Sequence, residues 1–273
     1  MISVLHLGTL DYGTAQELQN TLVSLRKENR IGDVLLLLEH TPVITLGRNA
    51  KENNIVVPRE LLANKGVELY ECDRGGDVTF HGPGQLVAYP IFDLRGFHEK
   101  IGAVEFVRRL EEVLMLTCAR YGISTQRIKG MTGVWTQAEP PVRVAAEQGT
   151  SALEAHWSER KIAAIGVHIS RAVTSHGFAL NVTTDLDYFK LIVPCGLSKP
   201  VTSIEFETGQ RPPMQQVMHI AARHFGDIFH SQILWLDELN DLLPGIDIGI
   251  PQDTPAKAPK ELREMHGDDI NLA

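Results

Sequence analysis

The chain has 273 residues, 43% of them hydrophobic and 22% charged, enough apolar material to bury the core of one large domain or two small ones. Its formal charge of −8 is uneven: from Asp237 to Ala273 nine acids face three bases, so the body is nearly neutral and a nucleic-acid partner is disfavoured. Three cysteines without a CxxC pair, no apolar run of membrane-spanning length and no basic leader point to a reduced, non-exported, cytoplasmic protein.

In chain order, Met1 to Gly8 reads as a first strand. Thr14-Ala15-Gln16-Glu17 has the form of a capping box, and Leu18, Leu22 and Leu25 continue it as a helical stripe that should stop near Gly32. Val34 to Leu38 is a short apolar run, most simply a strand covered on both faces, with Thr41 to Arg48 as its partner. Pro58 to Lys65 fits a short helix closed by Gly66. Val67 to Asp73 then leads into a glycine-rich stretch, Arg74 to Gln85, and Leu86 to Leu94 leaves it as a strand.

The longest helical signal is Ile101 to Tyr121, with Val104, Val107, Leu110, Leu114 and Met115 as its stripe. Residues 137–157 break the pattern and read as a surface insertion. Lys161 to Val182 holds two strand-like runs around Arg171 to Thr174. Leu191 to Gly196 is a turn with a cysteine, Val201 to Phe206 a strand, and Met214 to Phe229 the last long helix. An acidic tail with several prolines covers 237–273, leaving 1–236 as a single domain. Strands and helices do not alternate strictly, which favours α+β with a mixed or antiparallel sheet.

Three places carry groups suited to chemistry. The stretch Arg74-Gly75-Gly76-Asp77-Val78-Thr79-Phe80-His81-Gly82-Pro83-Gly84-Gln85 combines close-approach glycines with a rigid proline and two polar side chains; it is either a ligand-binding wall or an ordinary hairpin loop. Lys161 opens an apolar strand face shared with Ala163, Ile165, Val167 and Ile169. Partial desolvation there would make it a base, whereas a place at the solvent end would let it snorkel. Cys195 stands between Pro194 and Gly196 and is either an exposed nucleophile that needs a nearby base or an inert buried thiol. Cys118 belongs to a helix stripe and reads as core, while Cys72 is the competing nucleophile. His81 and His176 are candidates to line a pocket, and neither has metal-site spacing.

Together these segments resemble the lipoyl(octanoyl) transferase family. The resemblance rests on Arg74-Gly75-Gly76 with Thr79 and His81-Gly82-Pro83-Gly84-Gln85-Leu86-Val87; on Lys161-Ile162-Ala163-Ala164-Ile165-Gly166-Val167; on His176-Gly177-Phe178-Ala179-Leu180-Asn181-Val182; and on Pro194-Cys195-Gly196, in that order over roughly residues 1 to 230. It implies the α+β fold of the biotin and lipoate protein ligase catalytic domains, mainly an antiparallel sheet flanked by helices. It implies transfer of an octanoyl group from octanoyl-acyl carrier protein to a lysine of lipoyl domains, those of 2-oxoacid dehydrogenases and the glycine cleavage H protein, with no cofactor and no metal.

The family's dyad falls on Cys195, as acyl-thioester nucleophile, and Lys161, as general acid and base that lowers the thiol pKa. Substrate binding falls on Arg74, Gly75, Gly76, Thr79, His81, Gly82, Gly84, Gln85, Ala163, Ala164, Ile165, Gly166, His176, Gly177 and Ala179. Arg48, Arg74, Arg127 and Lys129 are candidate docking residues for acidic protein partners. The competing readings are an ATP-dependent lipoate or biotin ligase on the same fold, an enzyme that relays acyl groups between lipoyl-bearing proteins, and a non-catalytic binding module.

Overall fold

The hydrophobic runs assemble into two sheets. In the computed structural model, which describes residues 1–97, 99, 101–137, 159–193 and 199–242, the larger sheet has eight strands in the order β11-β1-β2-β6-β10-β9-β8-β7. These are β1 (Ile2–Leu10), β2 (Asp33–His40), β6 (Gln85–Ile91), β7 (Thr125–Ile128), β8 (Met131–Thr136), β9 (Lys161–Ser170), β10 (Val173–Asn181) and β11 (Ile233–Trp235). The β11–β1 and β1–β2 pairs are parallel and the other five are antiparallel. The fold is therefore α+β with a mostly antiparallel sheet, as expected. The insertion beyond Gln137, the Pro194-Cys195-Gly196 turn and the tail beyond Leu242 lie outside the described residues.

The smaller sheet has the order β4-β3-β5, from β3 (Val43–Leu46), β4 (Glu68–Glu71) and β5 (Val78–His81), with the short α2 (Arg59–Asn64) between β3 and β4 in the chain. This corrects one expectation: the run after Val34–Leu38 is not that strand's partner. Residues Thr41 and Pro42 turn the chain out of the large sheet, so β3 pairs with β4 and β5, while β2 pairs with β1 and β6. β2 carries five successive fully buried residues, Val34 to Leu38, because helices cover both of its faces.

One face of the large sheet is covered by α3 (Ala103–Ala119) and α5 (Met214–Ile228), with Phe92, Phe106, Phe225 and Phe229 at the contact. The other face takes α1 (Tyr12–Lys27) through Ala15, Leu18, Leu22 and Leu25. The α1 cap is Asp11, whose carboxylate accepts from the Thr14 N–H at 2.8 Å, and not Thr14 as the capping-box pattern implied. The observed cap lies one turn before the expected one, and burial of Tyr12 and Ala15 sets the earlier start.

The α3 stripe is also turned from the expected one. Phe106, Leu110, Val113, Leu114 and Cys118 face the core, whereas Val104 is 76% exposed. Phe106 is the largest apolar side chain of the first turns, and its burial sets the rotation. Nor is Val201 to Phe206 a strand. Val201 makes a single bridge to Lys161, and Ser203 then caps the short α4 (Ile204–Thr208), its hydroxyl accepting from Phe206 N–H at 3.1 Å. The expected tail starts too early as well: Leu239 is buried beside Leu236 and Leu242 against the α1 layer, so the folded body runs to at least Leu242.

Candidate active site

The β9–β10 hairpin closes through Arg171 and Ala172, both at positive φ, and its register places Ala163 opposite Leu180, Ala164 opposite Ala179 and Gly166 opposite Gly177. Small residues thus form the middle of the sheet where the smaller sheet comes down on it. Gly75 N–H donates to Val167 O at 3.1 Å. A Cβ on Gly166 would stand 2.7 Å from Gly75 O, so only glycine lets the loop seat on β9.

Between the two sheets lies a cavity of about 660 Å³, within the ordinary range for a small-molecule site. Of the predicted residues it is lined by Lys161, Arg74, Gly75, Gly76, Thr79, His81, Gln85, Ala163, Ala164, Ile165, Gly166, His176, Gly177 and Ala179. Gly82 and Gly84 are not among them. Gly84 donates to Glu39 Oε2 at 2.7 Å, and its carbonyl accepts from Val182 N, Thr183 N and Thr184 Oγ1, so it ties β6 to the chain leaving β10. Gly82 packs against the Phe80 ring.

Lys161 starts β9 beside Trp135, with Nζ 5.2 Å from that ring's centre. Its N–H donates to Pro200 O at 2.9 Å, and its carbonyl accepts from Thr202 N at 2.9 Å, which straps residues 200–202 across the strand. From Thr202 a chain of side-chain amides runs inward. Asn181 Nδ2 donates to Thr202 O at 2.8 Å, Gln85 Nε2 to Asn181 Oδ1 at 2.9 Å, and His81 Nδ1 to Gln85 Oε1 at 2.7 Å. That chain fixes the His81 tautomer with Nδ1 protonated. Burial holds its pKa down to about 3, so the ring is neutral.

Tyr12 and Tyr89, which line the cavity, and His40, Asp73 and His168 behind it were missed by sequence reasoning. Tyr12 stacks at 6.2 Å on His81, and Tyr89 donates to His40 Nε2 at 2.7 Å while His40 Nδ1 donates to Leu10 O at 2.9 Å. Burial lowers the His40 pKa to about 4 and raises that of both tyrosines. His176 donates from Nε2 to Asp73 Oδ1 at 2.7 Å, and Asp73 bridges on to His168. Asp73 is held below the usual carboxylate range: burial acts against this, but hydrogen bonds from His176 and His168 outweigh it. These residues come from five separated segments, and no single motif joins them.

The docking expectation changes in two places. Arg74 is 7% exposed, and its guanidinium donates to Thr45 O and Oγ1, Gly75 O and Asp77 O, so it builds the glycine loop and cannot meet a protein partner. Arg127 is bound to Glu111 and Glu112. Arg48 and Lys129 are exposed, and Lys129 also lines the cavity. Of the cysteines, Cys118 is buried, which lifts its thiol pKa to about 12, and Cys72 donates to Leu46 O at 3.4 Å without lining the cavity. Cys195 lies outside the described residues.

Residues 11–226 match the lipoyl protein ligase A/B catalytic domain, well over half of the chain. The chain belongs to that family. This lipoyl ligase-type protein is 61% identical over 273 residues to the octanoyltransferase of Koribacter versatilis, with all of both chains covered. It is 54% identical over 252 residues to that of Acidobacterium capsulatum, covering 89% of this chain and 96% of the relative. Among solved structures, it superposes on the bipartite lipoate protein ligase of Thermoplasma acidophilum with a TM-score of 0.62 at 14% identity, covering 86% of each chain. That likeness supports the ligase-type fold alone.

Proposed function

We propose that this chain is an octanoyltransferase of protein lipoylation that moves an octanoyl group from octanoyl-acyl carrier protein to a lysine of a lipoyl domain, by way of a thioester on Cys195. The acceptors are the lipoyl domains of 2-oxoacid dehydrogenases and the glycine cleavage H protein. Octanoyl transfer rests on the family and on full-length octanoyltransferase relatives. One observation carries the site assignment: Lys161 is the cationic side chain set at the start of β9 in a cavity otherwise walled there by Ala163, Ala164 and Ile165. Cys195 is two residues past Val193, whose N–H is held by Asn54 O at 2.7 Å.

A thioester is already activated, so the transfer calls for a nucleophile and a proton carrier. Neutral Lys161 takes the thiol proton of Cys195, and the thiolate attacks the acyl carbon. Backbone N–H groups stabilise the oxyanion; Gly75 N–H is not one of them, because it already donates to Val167 O. The carbon–sulfur bond to the carrier breaks, and the carrier thiolate leaves with the proton from Lys161. The acceptor lysine then attacks the acyl-enzyme as a neutral amine, an amide forms, and Cys195 leaves as thiolate while Lys161 takes the amine's proton. His81 and His176 line the pocket that holds the chain.

Mixing the protein with octanoyl-carrier protein and reading its intact mass tests this directly. The wild type gains one octanoyl group, and Cys195→Ser gains none. Lys161→Ala slows acylation by about 100-fold, the usual loss for a missing proton carrier. An adduct on Cys195→Ser removes that residue from the nucleophile role. ATP-dependent acylation with pyrophosphate release would replace the transferase with a ligase.

A further inference from the structure

Lys161 is held from a side that the sequence motifs do not touch. Gly133 is buried in β8 at φ +121, and a Cβ there would stand 2.8 Å from Lys161 Cε, 3.5 Å from Nζ and 2.5 Å from Ala163 O. The lysine's stem therefore runs through the space where a side chain at 133 would be. β8 pairs with β9 only through Val134 to Ala163 and Trp135 to Lys161, with a register shift between the two pairs. Such irregularities re-aim side chains.

What fixes the irregular strand is a buried carboxylate. Gly133 N–H donates to Oε1 of Glu111 on α3 at 3.3 Å, and Glu111 is 1% exposed. Its other oxygen, Oε2, accepts from Arg108 Nη1 at 2.6 Å and Arg127 Nε at 3.0 Å. Arg127 reaches further, to Glu112 Oε2 at 2.6 Å and the Arg108 carbonyl at 3.0 Å. A carboxylate so deeply buried is tolerated only when both oxygens are paired, as here. The geometry runs as a strut from the helix through Glu111 to Gly133, and from Gly133 to the lysine.

We propose that Glu111 and Gly133 are positioning residues for the acid–base lysine. Glu111 pins the β8 irregularity from the helix side. The bare Cα of Gly133 leaves the slot through which Lys161 extends over Trp135 into the cavity. This rests on Lys161 being the proton carrier for Cys195.

The test compares Lys161→Ala, Gly133→Ala and Glu111→Gln in the full chain. The readouts are the pH midpoint for iodoacetamide alkylation of Cys195, located by peptide mass spectrometry, and the steady-state constants. Lys161→Ala raises the midpoint toward that of an ordinary thiol. Gly133→Ala and Glu111→Gln shift it the same way and lower kcat by ~10–100-fold with KM little changed, the scale for a catalytic group displaced by about 1 Å. Glu111→Gln keeps an acceptor for Gly133 N–H, and so serves where Gly133→Ala fails to fold.

A merely structural role would lower thermal stability and leave the alkylation midpoint at the wild-type value. That result for both variants, beside a shifted Lys161→Ala, overturns the positioning role and leaves the dyad standing. An unshifted Lys161→Ala overturns the dyad and this role with it.

Discussion

The guanidinium of Arg74 donates to oxygens of Thr45, Gly75 and Asp77, all of them neutral. It behaves as a clamp that closes the glycine loop on β3. Asp77 O keeps the Gly47 N–H when it is removed, but the Thr45 hydroxyl and Gly75 O lose a charged donor, so Arg74→Ala should cost about 2 kcal/mol in urea unfolding. Arg74→Lys should recover little, because an ammonium cannot span that set of acceptors as a planar fork does. A loss under about 1 kcal/mol for the alanine variant would mean that the loop stands without the clamp.

Five histidines act on the pH dependence of stability. His6, His40, His81, His176 and His224 are all held below the ordinary 6.5, in each case chiefly by burial. Each binds a proton more readily in the unfolded chain than in the fold. Their contribution to stability is complete above pH 6.5 and is lost as the pH falls toward the folded values, about 4 for His40 and about 3 for His81. Integrated from half-protonation of the unfolded ring at pH 6.5, those two alone remove about 3 kcal/mol between pH 6.5 and 5. Unfolding free energies at pH 7 and pH 5 that agree within error would show these rings to be charged in the fold.

At the scale of elements, run length and residue type settled what each segment is better than where it sits. The buried strand at Val34 to Leu38, the β9–β10 hairpin and the α5 helix were legible because their apolar patterns are long and unambiguous. The place of β3 was not, since a two-residue period fixes the faces of a strand and not its neighbour. The α1 start was misplaced by one turn, because the capping-box pattern at Thr14 overlooked Asp11 three residues earlier. Asp11→Ala should cost ~1 kcal/mol in thermal or urea unfolding, the usual value for a lost N-cap, whereas Thr14→Ala should stay within about 0.5 kcal/mol. The reverse order would return the cap to Thr14. Gly133 and the rings of Tyr12, His40 and Tyr89 were hidden for a related reason: contacts between distant segments leave no local pattern.

Over the whole molecule the formal charge is −8, and an acidic carrier protein would be repelled by the average field. Docking of such a carrier would then depend on local exposed cations. Arg74 is buried and Arg127 is committed to Glu111 and Glu112, which leaves Arg48, against His168 at 3.2 Å, and Lys129 on the β7–β8 turn. Lys129→Glu and Arg48→Glu should each raise the KM for octanoyl-carrier protein by about 3-fold to 10-fold at low salt, with kcat little changed. The effect should fade near 0.5 M salt, where the screening length is only ~4 Å. Arg127→Glu should behave differently, lowering stability at every salt concentration because it leaves a second carboxylate beside buried Glu111. A KM that ignores both charge reversals and salt would place the carrier on another face of the protein, with apolar contact rather than charge bringing the thioester to the cavity.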